Sequence, residues 1–219
     1  MENELSLLGA LGEEDRRAVL QNMHRRRFAK GEVIFHEGDP GDVLHVVDKG
    51  HVAVRAATPL GEEALLAVLG PGASFGEGAL VTEERTRTAT CRALDGVETR
   101  SLHRDDFHRL VAEHPAVREV LIAILSAQVR RLTEHLLEAL WVPVDRRVCR
   151  RLLALGTAFG CDGGEWEVPV TQDDLAAMAG TTRPTANRAL QALASDGIVA
   201  MRRGHIAVLD AGLLERRAR

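Results

Sequence analysis

Several large classes of protein are excluded by what this sequence lacks. No apolar stretch reaches the roughly 18 residues that a membrane span requires, and even Val117 to Leu125 is broken by Arg118 and Glu119. The first ten residues, M-E-N-E-L-S-L-L-G-A, are acidic and place no basic segment ahead of a long apolar run, so they do not read as a secretory signal. Cysteine is scarce. Cys91, Cys149 and Cys161 are odd in number, far apart, and form no C-x-x-C pair, which argues against a disulfide framework or a zinc or iron–sulfur site and for a reduced, cytoplasmic setting. His36, His45 and His51 lack the close His-x-His pair and following acid that a metal enzyme built on a β-roll would need, so no metal is expected. No nucleophile–base pair stands out, and an enzyme is not expected. The charge excess of a disordered chain is also missing: 45% hydrophobic and 27% charged residues describe a globular protein.

What remains is a chain of 219 residues, long enough for two domains that each bury a core. Its net charge of −4 is unevenly spread, with 11 Lys/Arg against 9 Asp/Glu from Trp141 onward and 17 against 23 before it. A whole-surface nucleic-acid role is therefore disfavoured, while a local one near the C-terminal end stays open.

Residues 4 to 24 read as a short amphipathic helix with an acidic Glu13-Glu14-Asp15 start. From Arg27 the texture changes to short β-rich runs at 33–35, 43–47, 51–55, 64–69, 89–93 and 97–102, divided by turns such as Asp39-Pro40-Gly41 and Asp48-Lys49-Gly50. This spacing predicts a β sandwich or roll. Helical patterning returns at Arg104 to Ala112 and then over Ala116 to Leu140, about 25 residues without Gly or Pro. Leu121, Leu125, Gln128, Leu132, His135 and Ala139 advance by the alternating fours and threes of a coiled-coil seam, and Val117, Val120, Ile124 and Leu137 form a second set suited to covering the β domain. Val142-Pro143-Val144 breaks the pattern. Asp145 to Phe159 reads as a helix with Arg146, Arg147, Arg150 and Arg151 on its polar side, and Gly163-Gly164 with W-E-V-P-V suggests a small hairpin.

Two stretches carry chemistry. In Ala73 to Ala93, Gly76 frees the backbone, Glu77 offers a carboxylate to a sugar hydroxyl, and Arg87 offers a guanidinium to a phosphate. A nucleotide pocket follows from that combination. Near the C-terminus, Thr171 and Asp174 cap one helix, Gly180 ends it, and Thr182 opens a second with Arg183 and Pro184 in its first turn. This is the helix-turn-helix layout, and Arg183, Thr185, Asn187 and Arg188 are residue types that read base edges or phosphates. Ile198 to Leu209, with Arg202-Arg203-Gly204-His205, reads as a basic-tipped wing.

These residues together resemble the CRP/FNR family of bacterial transcription regulators along nearly the whole chain. The resemblance is carried by F-x-K-G-E-V-I-F-x-E-G-D-P-G-D at Phe28 to Asp42, F-G-E-x-x-L at Phe75 to Leu80, R-T-A at Arg87 to Ala89 and T-T-R-P-T-A-N-R at Thr181 to Arg188. It implies an α+β fold. A cyclic-nucleotide-binding, jelly-roll-like β-roll would occupy residues 1–115, a long dimerisation helix and hinge 116–142, and a winged helix-turn-helix 143–219. It further implies cyclic AMP, or else cyclic GMP, as an allosteric effector. Gly76 would offer a backbone amide near the ligand, with Gly78 and Ala79 standing where a bulkier aliphatic often follows the glutamate. Glu77 would accept the ribose 2′-hydroxyl, Arg87 neutralise the cyclic phosphate and Thr88 donate to it. Thr133 would reach the adenine, beside Leu132 where the family often keeps a polar residue. The implied DNA-facing set is Thr171, Thr182, Arg183, Thr185, Asn187, Arg188 and Arg203, with Pro184 where family members reading a TGTGA-like half-site carry a glutamate. The implied partners are a second copy of the chain, double-stranded palindromic DNA and RNA polymerase. The other reading is a member of the family that binds DNA constitutively or answers to cyclic GMP, haem or a redox signal.

Overall fold

The computed structural model describes residues 11–57, 63–83, 85–161 and 163–219. Two compact units emerge, one formed by residues up to 56 with 69–132, the other by 57–68 with 133–219. Among the described residues no helix is long and apolar enough to cross a membrane.

In the first unit, helix α1, Glu13–Asn22, places three acidic residues against the positive end of its dipole and buries Val19. Residues 4–10 of the expected helix lie outside the described residues, and the chain is extended again by Met23. Strand β1, His24–Phe28, follows, beginning on the last residue of the expected helix and ahead of the β-rich texture expected from Arg27. Its H-R-R-R-F sequence shows no apolar alternation because, among the described residues, β1 is an edge strand, paired on one side with β8, Val97–His103. Exposed arginines also discourage a further strand from adding there.

The first sheet runs β1-β8-β3-β6, with β3 at Val43–Lys49 and β6 at Ser74–Phe75. In the second sheet β7, Thr90–Ala93, lies between β2, Val33–Phe35, and β4, Val52–Ala57. The remaining strand, β5, is Glu63–Leu69. Val47, Val52, Phe75, Cys91, Ala93 and Val97 meet between the sheets in one core. A second core forms where α1, α2 (Gly78–Val81), α3 (Arg104–Glu113) and the long α4 (Ala116–Trp141) cover Leu44 and Leu102 with Val19, Leu80, Phe107, Leu110, Val117 and Leu121. Each large side chain buried this way contributes roughly 1.5–3 kcal/mol.

The faces of α4 differ from the sequence expectation. Leu121, assigned to the seam, is buried with Val117 and Ile124 in the unit's own core, whereas Leu137, assigned to the β domain, is exposed. Among the described residues the exposed apolar stripe consists of Ile122, Val129, Leu132, Leu136 and Leu140. A spacing of threes and fours fits two adjacent stripes of one helix, so periodicity alone does not separate them.

In the second unit, Pro143 precedes helix α5, Val144–Ala158. Arg147 and Arg151, expected on its polar side, are each only 7% exposed. Specific acceptors keep them inside: Arg147 donates to the carbonyl of Ala139, and Arg151 pairs with Glu138 and His135. Among the described residues, Gly163-Gly164 and the W-E-V-P-V run form no hairpin of their own. Strand β9, Trp166–Val168, instead joins the wing as the outer strand of a sheet ordered β10-β11-β9, with β10 at Val199–Arg202 and β11 at His205–Val208. Helices α6 (Gln172–Met178) and α7 (Arg183–Ser195) precede the wing, and α8 (Ala211–Ala218) packs on α5.

Candidate functional site

The turn after β6 and the loop before β7 bring Gly76 and Arg87 together. Gly76 has φ +78°, and a Cβ there would lie 2.4 Å from Arg87 Nη1. Only glycine combines that backbone with that approach. Arg87 is 7% exposed and donates from Nη1 to the Gly76 carbonyl at 3.2 Å, the long end of hydrogen bonding. Its Cζ lies 4.1 Å from the centre of the Phe35 ring, and its buried Nε has no hydrogen-bond partner. Gly41 closes the far side, since a Cβ there would fall 2.3 Å from Arg87 Nε.

Burial is the main cause that lowers the Arg87 pKa from the usual guanidinium value, opposed by Cys91, Asp42, Glu77 and Asp39. A buried cation with an unsatisfied donor is costly, and an anion in hydrogen-bonding reach relieves that cost. Glu77 stands at the start of α2, half-buried, and forms no direct ion pair with Arg87 among the described residues. Gly78 is half-buried, Ala79 is buried with its carbonyl accepting from Arg104 at 2.9 Å, and Thr88 is exposed beside Arg87. Thr133 lies on α4 in the second unit and Leu132 at the end of the first, and both are exposed. Sequence reading treated Phe35 as a strand residue and Gly41 as a turn residue. Their part in seating Arg87 depends on contacts across some fifty residues of chain that no local pattern announces.

Behind Phe35 the rings continue inward. Phe35 tilts against Phe75 at 5.8 Å, and Phe75 stacks on His45 at 5.0 Å with planes 10° apart. His45 is 7% exposed and shares a 3.1 Å hydrogen bond with Thr99 Oγ1. Its pKa is lowered to about 4, first by burial and then by the positive charges of Arg87 and Arg26. Burial likewise pushes the Cys91 thiol up to about 12 and Cys149 up to about 11, so both are inert packing groups. Among the described residues no group of three His, Cys, Asp or Glu could hold a metal ion.

The second constellation is local. Thr171 caps α6 in a full capping box: its hydroxyl accepts from Asp174 N at 3.1 Å, and the Asp174 carboxylate accepts from Thr171 N at 3.0 Å. Gly180 turns the chain with φ +60°. Thr182 then opens α7 with extended geometry, its hydroxyl meeting that of Thr185 at 3.1 Å. Ala186, Leu190 and Leu193 are buried, which presents Arg183, Pro184 and Arg188 outward as exposed residues. Arg183 lies 3.3 Å from Asp173, and Arg188 donates to Thr185 Oγ1 at 3.4 Å. Asn187, expected at a base edge, is half-buried and donates to Gln172 Oε1 at 2.6 Å, tying α7 to α6. Arg203 and Gly204 form the exposed tip between β10 and β11. Arg183, Thr171, Gln172, Asp173, Met201 and Arg202 line one cleft beside that tip.

Comparison with known proteins follows the same division. Residues 25–114 match the model of the cyclic nucleotide-binding domain, and residues 146–217 match the Crp-like helix-turn-helix domain. The chain is 32% identical over 205 residues to a CRP-like cAMP-activated global transcriptional regulator of Mycobacterium tuberculosis, covering 92% of this chain and 91% of that protein. Among solved structures, Thermus thermophilus catabolite activator protein is 34% identical with a TM-score of 0.56, covering 97% of both chains. The c-di-GMP responsive global regulator CLP of Xanthomonas campestris is 25% identical with a TM-score of 0.72, covering 90% of this chain and 99% of that one.

Proposed function

The chain belongs to the CRP/FNR family of transcription regulators, and from that premise we propose that it is a homodimeric, cytoplasmic regulator whose β-roll binds cyclic AMP. Its winged helix-turn-helix domains then engage a palindromic operator and RNA polymerase. The observation that carries the effector half is Arg87: a buried guanidinium with an unpartnered Nε, opposite a positive-φ glycine and next to Glu77. Arg87 and Thr88 take the cyclic phosphate, Glu77 takes the ribose 2′-hydroxyl, backbone at Gly76 and Gly78 approaches the ligand over the small Ala79, and Thr133 reaches the base. The Mycobacterium relative, described as cAMP-activated, supports this choice of nucleotide.

The three segments 1–115, 116–142 and 143–219 divide the work into sensing, dimerisation and DNA reading. The exposed stripe Ile122, Val129, Leu132, Leu136 and Leu140 supplies the dimer seam. On a two-fold dimer the recognition helices sit about 34–36 Å apart, one turn of DNA. Arg183, Thr185 and Arg188 read base edges, with Thr171, Thr182 and Arg203 on phosphates and Asn187 bracing the reader through Gln172. Ligand shifts the population toward the DNA-competent state by binding it more tightly than the other.

A second reading, in which a different nucleotide such as cyclic GMP is the effector, is favoured by Leu132, an exposed aliphatic beside Thr133 where a polar partner for adenine would serve better. Calorimetric titration with cyclic AMP and with cyclic GMP separates the two. Tighter binding of cyclic AMP is the expected result, and absence of heat with either nucleotide removes the effector half while leaving the DNA half standing.

A further inference from the structure

We propose that Phe35 is a positioning residue of the phosphate site: its ring fixes the plane of the Arg87 guanidinium so that the donor edge points at an incoming phosphate. This rests on the reading of the pocket as a cyclic-nucleotide site. A guanidinium donates only in its own plane, so an aromatic ring against its face holds it without consuming a donor. With Cζ 4.1 Å from the ring centre, Arg87 is well inside the distance at which the ring's negative face attracts a cation.

Everything else around Arg87 leaves that edge underused. Nη1 makes one long bond to the Gly76 carbonyl, and Nε makes none. Gly41 and Gly76 leave room for the guanidinium, since a side chain at either would collide with it. Phe35 is itself braced from behind by Phe75, which stacks on His45. A flexible cation is thereby placed before the ligand arrives, which removes part of the ordering cost of binding.

The test replaces Phe35 in the full-length protein with phenylalanines carrying one, two and three fluorines. These nearly keep the ring's size while draining its negative face. Cyclic AMP affinity is then measured by calorimetry and folding by thermal denaturation. The proposal predicts stepwise weakening, about tenfold across the series, with an unchanged unfolding temperature, and near-normal binding by Phe35→Tyr. Cyclic AMP binding that stays constant across the fluorinated series overturns the role of Phe35 while the effector reading stands. If the unsubstituted protein binds no cyclic nucleotide, the effector reading fails first and the proposal falls with it.

Discussion

Arg151 on α5 and Glu138 on α4 form a largely buried ion pair, and the same carboxylate accepts from Arg150 at 2.9 Å. One carboxylate therefore serves two guanidiniums at the end of the long helix. Breaking a buried pair from one side leaves an uncompensated charge, which costs about 3–5 kcal/mol when burial is complete. Because Arg150 is about one-third exposed, Glu138→Ala is expected near the lower end of that range in urea denaturation of the C-terminal unit. Replacing Glu138 with Leu and Arg151 with Met together should recover part of the loss.

His45 makes stability pH-dependent. Its pKa is near 4 in the folded protein against an ordinary value of 6.5. Between those values the unfolded chain holds a proton that the native chain does not, so stability falls as pH drops below 6.5 and levels off near 4. The loss is on the order of 3 kcal/mol across that window, at 1.36 kcal/mol per unit. Chemical denaturation at pH 7 and pH 5 checks this, and His45→Phe should flatten that part of the slope.

Gly76→Ala combines a strained positive φ with a collision against Arg87 Nη1. The strain alone costs of order 1–3 kcal/mol. Loss of cyclic-nucleotide binding with a modest drop in unfolding temperature is expected by calorimetry and thermal melts. Gly78→Ala, where an added Cβ meets nothing within 4 Å, should fold normally.

How far the sequence carried these conclusions depended on the range of the interactions. Strand positions 33–35, 43–47 and 97–102 and the capping box at Thr171 were legible because alternation and capping are local. Strand β1 was not, since an edge strand of H-R-R-R-F has no apolar face to reveal it. Arg147 and Arg151 read as solvated because charge normally means exposure, and only their acceptors at Ala139 and Glu138 explain their burial. The motif named Gly76, Glu77 and Arg87, but Phe35 and Gly41 reach Arg87 only through the sheet pairing. Asn187 had the right chemistry for a base reader, and nothing local pointed to its bond with Gln172.

On the DNA side, Arg183→Ala should cost about 1–3 kcal/mol on the preferred operator and relax specificity at one base pair. Arg203→Ala, at the wing tip, should weaken binding uniformly and reduce the salt slope by about one phosphate contact. Binding assays on matched and mismatched duplexes at several salt concentrations distinguish the two.

Control of DNA binding by ligand at Arg87 is tested most directly by fluorescence anisotropy of a labelled operator, with and without saturating cyclic AMP, in the unsubstituted protein and in Arg87→Leu. The prediction is a gain in DNA affinity of at least about fivefold on adding cyclic AMP, the low end of typical allosteric coupling, and no gain in Arg87→Leu despite an intact fold. Equal DNA affinity with and without the nucleotide in the unsubstituted protein would contradict it.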